Sequence, residues 1–199
     1  MSSAERLAAS VEADGYAIAP AFVPSGDLRA LRAHALQLDA DARLHAAAVG
    51  RGSRRAVDAT LRGDRIAWLE HDAASAAEQR VRLALEELRL VMNRRLALGL
   101  FEFEAHYALY PPGAGYARHR DRFRDDDARV LSCVLYLNHA WSAADGGALR
   151  LHVAENAVRD IVPHGGTLVV FLSERFEHEV LPTARARVSL AGWFRRRAA

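Results

Sequence analysis

Hydrophobic and polar positions in the first hundred residues recur with the period of helices. Ser2 followed three residues later by Glu5 is a capping-box pattern, and it predicts a helix that ends at Gly15. Ser25 begins a second segment in which apolar residues recur every three or four positions, and Ser75 begins a third. We therefore predict three helices, each with one apolar face that packs against a neighbouring layer.

Strand-like segments interrupt these helices and then follow them. Residues 16–19 and 65–69 have strand character, and the polar, glycine-flanked segment from Gly50 to Gly63 predicts a loop. From Phe101 the pattern changes, because residues 101–110 alternate in polarity and four further apolar runs are separated by turns rich in Gly, Pro and Asp. Several short strands at close spacing are typical of a β-sandwich or barrel.

The two halves of the chain are predicted to form one domain. No linker or change of composition separates them, so residues 1–199 are expected to share one core. Residues 1–100 would supply helical support and the loop, and residues 101–194 would form the β core. The predicted fold class is therefore mainly β with N-terminal helices that pack on one sheet.

Composition removes several classes of chemistry. All 27 cationic residues are arginine, so a Schiff-base enzyme, a P-loop and a protein kinase all lack the lysine that they need. The single Cys133 excludes a disulfide framework and a cysteine-based zinc site. A net charge of +2 gives little reason to expect a nucleic-acid partner. The sequence shows neither a long apolar run nor a secretion signal, so we expect a cytoplasmic protein without a membrane partner.

The strongest local motif is His119-Arg120-Asp121, which follows a strand-like segment. Residues two apart on a strand share a face, so His119 and Asp121 can converge. They would supply two of the three ligands of a 2-His-1-carboxylate triad for Fe(II). The same three letters open the kinase catalytic loop, but Arg122 and Asp126 stand where that loop needs Leu and Asn. The kinase interpretation therefore fails.

A second group of residues lies near the end of the sequence. His178 begins a strand, and Arg187, Ser189 and Trp193 share one face of the next strand. If the chain reverses over residues 181–186, the Arg187 strand would run antiparallel beside the His178 strand. A guanidinium beside a hydroxyl is a suitable receptor for a carboxylate. A metal with open positions near such a receptor suggests 2-oxoglutarate as a cosubstrate.

These residues resemble those of the Fe(II)/2-oxoglutarate-dependent oxygenases, in the prolyl-hydroxylase-like branch that includes the animal oxygen-sensing enzymes. The resemblance extends from about Arg62 to Phe194. It rests on blocks in the family's order and at close to its spacing: LRGDRIAWLE (61–70), YPPGAGYARHRD (110–121), LSCVLYLN (131–138), Trp141 with DGGALRLH (145–152), and HEVLPTARARVSLAGWF (178–194).

The resemblance implies a double-stranded β-helix, or jelly roll, and a specific set of site residues. His119, Asp121 and His178 would be the iron ligands, and Arg187 would anchor the C5 carboxylate of 2-oxoglutarate. Other matched positions are expected to line the cosubstrate pocket: Tyr110, Tyr136, Ser189 and Trp193. The segment between Tyr110 and His119 is one residue shorter than in the animal pattern, and Val188 is expected to point outward.

The resemblance also implies a mobile loop that closes over a bound polypeptide. This loop corresponds to Gly50 to Asp64 and includes Arg62, and Asp64 and Arg129 match a pair that positions it. The expected activity is hydroxylation of a prolyl residue in a cytoplasmic protein, with a translation factor as the candidate. The expected cofactors are Fe(II), 2-oxoglutarate and O2, with ascorbate as a further candidate.

Alternatives within and outside this superfamily remain to be compared. Oxidative halogenases lack the carboxylate ligand, whereas Asp121 is present, and collagen-type prolyl hydroxylases anchor the cosubstrate with lysine. Nucleic-acid demethylases of this fold usually carry a second arginine where Trp193 stands. Two alternatives stay open: hydroxylation of a free amino acid or small metabolite, and a non-catalytic, cupin-like metal-binding sensor.

Overall fold

A computed structural model of the chain describes residues 1–48, 56–69, 75–121 and 128–197. Three α-helices form where the sequence predicts them. The Ser2 hydroxyl accepts a hydrogen bond from the Glu5 amide (3.2 Å), and Gly15 ends the first helix in the left-handed conformation (φ 83°). Ser75 and Glu78 form a reciprocal capping box at the start of the third helix. The helices are α1 (Ser3–Asp14), α2 (Ser25–Ala40) and α3 (Ala76–Leu96).

None of the helices in the described ranges combines the length and the apolar character needed to cross a membrane.

Antiparallel strands outnumber helices in the described chain, as the alternating pattern predicts. They are β1 (Tyr16–Ala19), β2 (His45–Ala46), β3 (Arg65–Trp68), β4 (Leu100–Tyr110), β5 (Tyr116–His119), β6 (Arg129–Tyr136), β7 (Leu149–Ala154), β8 (Ala157–Ile161), β9 (Leu168–Leu172), β10 (Glu177–Val180) and β11 (Arg187–Arg196). A short 3-10 helix covers Ala143–Asp145.

These strands form two sheets that face each other. The larger sheet has the order β1-β9-β6-β11-β4-β3-β2, and the smaller has the order β5-β10-β7-β8. Strands β1, β2 and β3 come from the first hundred residues, so that region extends the larger sheet as well as supplying helices. In the centre of the larger sheet, β11 pairs with both β4 and β6, which places Arg187 opposite Tyr110 and Ser189 opposite Tyr136.

The main hydrophobic core lies between the helices and the outer face of the larger sheet. Leu88 and Met92 of α3 are fully buried there with Leu131 and Leu190 of the sheet. Each such side chain contributes about 1.5–3 kcal/mol on burial. This arrangement confirms the predicted helical layer on one sheet. Val188 points away from the cavity, as expected, and the helices cover its face of β11 and bury it completely.

The predicted pairing of the His178 strand with the Arg187 strand is wrong. Strand β10 pairs with β5 and β7 in the smaller sheet, whereas β11 lies in the larger sheet. The connection at residues 181–186 crosses from one sheet to the other instead of forming a hairpin. Hydrogen bonds hold this crossing in place, from the Leu181 amide to the Ala148 carbonyl (3.0 Å) and from the Gly113 amide to the Thr183 carbonyl (2.7 Å). His178 and Arg187 therefore approach one cavity from opposite walls.

Candidate active site

Two histidines and one aspartate converge at the edge of the smaller sheet. Strands β5 and β10 pair so that His119 lies directly opposite His178, and Asp121 follows two residues beyond the end of β5. The Asp121 Oδ1 atom is 3.5 Å from His119 Nε2, and its Oδ2 atom is 3.5 Å from His178 Nε2. The ligand atoms of the three residues all lie within 4.8 Å of one another. Two imidazole nitrogens and a carboxylate at this spacing fit the donor set of a non-haem Fe(II) site.

Neighbouring groups orient these three side chains. The Nδ1 atom of His119 donates to the Ala117 carbonyl (2.8 Å), and that of His178 donates to the Phe176 carbonyl (3.4 Å). A carbonyl can only accept, so each neutral ring keeps the Nε2 lone pair directed at the cluster. The Ser132 hydroxyl donates to Asp121 Oδ2 (2.6 Å). The three side chains are thus held with their ligand atoms facing one another.

Burial and charge set the protonation states of the cluster. Burial alone would raise the pKa of Asp121, but the adjacent His178 and His119 rings and the hydrogen bond from the Ser132 hydroxyl hold it well below its usual range. Burial lowers the pKa of His178 to about 4, against the opposing attraction of Asp121. At neutral pH the carboxylate is therefore ionised and the His178 ring is neutral. Metal binding requires both of these forms.

Arg187 is a buried cation on the opposite wall. Its Nε atom donates to the Gly147 carbonyl (2.8 Å), and its Nη1 atom donates to the Ser189 hydroxyl (3.4 Å). Its guanidinium carbon lies 5.0 Å from the centre of the Tyr110 ring and 5.2 Å from that of Tyr136. Within the described residues, Arg187 forms no ion pair with an acidic side chain. A buried, unpaired guanidinium is costly, so this site fits an anionic ligand such as a carboxylate.

The tyrosines around Arg187 reinforce this fit. The Tyr136 hydroxyl is buried and makes no hydrogen bond of good geometry with any described residue. Burial raises the pKa of Tyr136 to about 12 despite the nearby Arg187, and burial also raises the pKa of Tyr110. Both phenols therefore stay protonated and keep a hydrogen-bond donor. The unsatisfied Tyr136 hydroxyl and the unpaired Arg187 guanidinium together suit the distal carboxylate of 2-oxoglutarate. Tyr110 also lies beside Arg187, despite the shortened segment that follows it.

One cavity joins the His-Asp-His cluster to Arg187. Ser189 and Trp193 line it from β11, as their shared face predicts. His106 also lines it, buried at 2% exposure, although the sequence motifs did not identify it. The signal was present in the alternation of β4, which puts residue 106 on the same face as Tyr110.

The residues of the predicted substrate loop are only partly described. Residues 49–55 lie outside the described residues, but Arg62 and Asp64 line the cavity. The expected pairing of Asp64 with Arg129 is not formed. Asp64 instead binds Arg62 through two hydrogen bonds (2.7 and 3.0 Å), while Arg129 binds Glu104 (3.0 Å) and lies 3.5 Å above the Trp193 ring. Arg62 is only two residues from Asp64 in the sequence, and it forms the ion pair with the Asp64 carboxylate.

Two facing antiparallel sheets, with a His-Asp-His cluster on one wall and a buried arginine on the other, define the oxygenase class that the sequence resembles. The family model of the 2OG-Fe(II) oxygenase superfamily matches residues 105–195. The chain belongs to this superfamily, in its prolyl-hydroxylase-like branch. The family branch and the double-stranded β-helix fold that the sequence resemblance implied are therefore confirmed.

Particular relatives make the branch more specific. A prolyl-4-hydroxylase from Pseudomonas putida is 44% identical with a TM-score of 0.87, covering 98% of this chain and 100% of that one. A Trichoplax adhaerens prolyl hydroxylase, solved with a peptide of hypoxia inducible factor, is 28% identical with a TM-score of 0.86 over 96% and 90% of the chains. The Mus musculus prolyl hydroxylase EGLN3 is 34% identical over 142 residues, which cover 67% of this chain but only 59% of that relative.

Proposed function

We propose that this protein hydroxylates a prolyl residue of a polypeptide, with Fe(II) bound by His119, Asp121 and His178 and with 2-oxoglutarate anchored by Arg187. One observation carries the proposal. A buried arginine without an acidic partner in the described chain shares a cavity with a complete set of iron ligands. Similarity to the Pseudomonas putida prolyl-4-hydroxylase supports the choice of proline.

The bound iron, 2-oxoglutarate and O2 would supply the oxidation, with insertion of oxygen into a C–H bond and release of succinate and CO2. The protein supplies position and exclusion of water. Ser132 holds Asp121, and the two backbone carbonyls at Ala117 and Phe176 hold the histidine rings. These contacts hold the ligand atoms in position in the metal-free protein, so metal binding would need little rearrangement.

The opposite wall would bind and orient the cosubstrate. The remaining N–H groups of Arg187 would donate to the distal carboxylate. Tyr136 and Ser189 lie beside Arg187, and their hydroxyls would be further donors to that carboxylate. Gly147 contributes its carbonyl to Arg187 and must lack a side chain, because a Cβ there would lie 3.0 Å from Arg187 Cδ in a backbone with φ +67°. These contacts position the guanidinium.

The substrate is proposed to be a protein in the cytoplasm, with a translation factor as the candidate, and ascorbate is proposed to support turnover. The peptide bound by the Trichoplax adhaerens neighbour supports a polypeptide substrate. The predicted loop over residues 50–64, whose end lines the cavity with Arg62 and Asp64, supports it as well. The same set of residues would serve oxidation of a small metabolite, so the substrate class has to be tested directly.

Mass spectrometry of a treated cell lysate tests this proposal. Lysate is incubated with the protein, Fe(II) and 2-oxoglutarate, with and without ascorbate, and peptides are searched for the added mass of one oxygen atom on proline. The matched control is the Asp121→Ala variant, which lacks the carboxylate ligand. Hydroxyproline that appears only with the wild-type protein supports the proposal. Succinate formation stimulated by small metabolites alone would favour the metabolite hydroxylase, and metal binding without any succinate would favour the sensor.

A further inference from the structure

We propose that Tyr116 is a positioning residue for the ligand His119, and that Arg62 and Asp64 hold Tyr116 in place. The segment that ends the predicted substrate loop is thereby coupled to metal affinity. This inference rests on the proposed function for the identity of the metal ligands, but it assigns Tyr116, Arg62 and Asp64 a role that the proposed function does not include.

The two histidines of the cluster are supported unequally. His178 lies on β10, between β5 and β7, and the edge of the Phe171 ring packs on it with the ring centres 4.8 Å apart. His119 is the last residue of β5, a four-residue strand at the edge of the smaller sheet. The side chain of His119 is 19% exposed, against 7% for His178. The orientation of the His119 ring therefore depends more on the side chain that packs against it.

Tyr116 is that side chain. Its ring stacks on the His119 ring with the centres 3.6 Å apart and the planes 18° apart, whereas the other ring contacts of the two ligands are tilted or edge-on. The Nδ1 hydrogen bond to Ala117 fixes one edge of the imidazole. The stacked Tyr116 ring restricts rotation of the imidazole plane of His119. Together they hold the orientation of the Nε2 atom.

Arg62 contacts the Tyr116 ring in turn. The guanidinium carbon of Arg62 lies 4.8 Å from the centre of the Tyr116 ring, and the same guanidinium makes the two-pronged pair with Asp64. Asp64 is 2% exposed. Burial alone would lower the pKa of Arg62, but Asp64 raises it, so the cation persists. The Tyr116 ring thus contacts both the Arg62 guanidinium and the His119 imidazole.

Backbone hydrogen bonds join the same two segments. The Ala117 amide donates to the Leu61 carbonyl (2.8 Å) and the Gly63 amide donates to the Gly115 carbonyl (3.0 Å), so residues 61–63 extend the smaller sheet beside β5. The approach is close, because a Cβ on Gly63 would lie 2.8 Å from that of Ala114. From residue 65 the chain continues as β3 of the larger sheet. The end of the loop is therefore bonded directly to β5, the strand that carries His119.

The expected effect follows from how other metal sites respond. Loss of a group that orients a metal-ligating histidine typically weakens metal binding by 10–100-fold. Because Ala117 still orients the ring when Tyr116 is replaced, we expect the lower end, about tenfold, for Tyr116→Leu. Tyr116→Phe keeps the stacked ring and should retain metal affinity. Arg62→Gln removes the cation and the pair with Asp64, and it should produce a smaller loss in the same direction.

Calorimetric titration of the protein with Mn(II) measures this coupling without turnover. The matched control is Phe103→Leu, which removes a ring that packs on Phe194 (centres 4.7 Å apart) among the residues of the main core. We expect Tyr116→Leu to bind Mn(II) about tenfold more weakly, while Tyr116→Phe and Phe103→Leu bind as the wild type does. The absorption spectrum of the Co(II)-loaded protein should change in Tyr116→Leu and not in Tyr116→Phe.

Two outcomes would overturn the inference. One is wild-type Mn(II) affinity in Tyr116→Leu, and the other is an equal loss in Phe103→Leu, which would indicate general destabilisation. If Tyr116→Leu does not fold, wild-type affinity in Arg62→Gln would overturn it instead. Failure of the wild-type protein to bind Mn(II), or wild-type binding by Asp121→Ala, would contradict the proposed function itself, so the two failures are distinguishable.

Discussion

Replacing His106 should flatten the dependence of stability on pH. The His106 ring lies in the cavity wall between Trp68 and Trp193, with ring centres 5.0 and 5.5 Å away, and its Nε2 atom is 3.5 Å from Arg62 Nη2. Burial lowers the pKa of His106 to about 3, with repulsion from Arg62 and Arg129 added and only partly offset by Asp64 and Asp121.

The size of the effect follows from the two pKa values. In the unfolded chain a histidine has a pKa of about 6.5, so the unfolded state binds more protons between that value and about 3. The contribution of the neutral ring is therefore fully present above the unfolded pKa and is lost as the pH falls towards the folded one. Between about pH 7 and about pH 5 the loss amounts to about 2 kcal/mol of unfolding free energy.

Urea unfolding of the metal-free protein at several pH values measures this loss. His106→Gln removes the titrating group, so its unfolding free energy should fall by about 2 kcal/mol less than that of the wild type over the same range. Phe103→Leu lowers stability without touching His106 and should keep the wild-type pH dependence. Parallel pH profiles for the wild type and His106→Gln would refute the assignment of a neutral, buried imidazole.

Three further predictions concern the anchor, a helix cap and the loop. Arg187→Lys should weaken 2-oxoglutarate binding to the Mn(II)-loaded protein by about tenfold or more, since one ammonium cannot reproduce a two-pronged contact. Calorimetry measures this affinity, with substitution of an exposed arginine, Arg185→Lys, as the control. An unchanged affinity in Arg187→Lys would show that another residue anchors 2-oxoglutarate. Ser75→Ala should lower the unfolding free energy by about 1 kcal/mol through loss of the capping box of α3, with no change in m-value in urea. Deleting residues 51–54 should impair hydroxylation of a protein substrate while sparing 2-oxoglutarate turnover without substrate, and equal loss of both activities would count against a substrate loop.

Local signals in the sequence predicted much of the fold. The caps at Ser2 and Ser75 and the stop at Gly15 concern contacts within four residues, so they are visible in the sequence and appear in the structure. Alternation placed Arg187, Ser189 and Trp193 on one face, and all three line the cavity. These features depend on the period of one element and not on the arrangement of the sheets.

Features that depend on long-range packing were harder to predict. The connection between His178 and Arg187 has the length of a hairpin loop, and nothing local shows that it crosses between sheets. The direction of Val188 was right, because it points away from the cavity, but the helices that bury it are distant in sequence. Asp64 was expected to pair with Arg129, and its pairing with Arg62 became evident only in the structure.

The most direct test of the central claim is joint binding of iron and 2-oxoglutarate in the absence of oxygen. A 2-oxo acid chelated to Fe(II) gives a visible absorption band, so titration of the protein with both components reports whether they meet in one site. We expect the wild type to develop the band at one equivalent of Fe(II), Arg187→Lys to require more 2-oxoglutarate, and Asp121→Ala to show no band. A wild-type protein without the band, or both variants with wild-type titrations, would contradict the claim that His119, Asp121, His178 and Arg187 form one Fe(II)/2-oxoglutarate site.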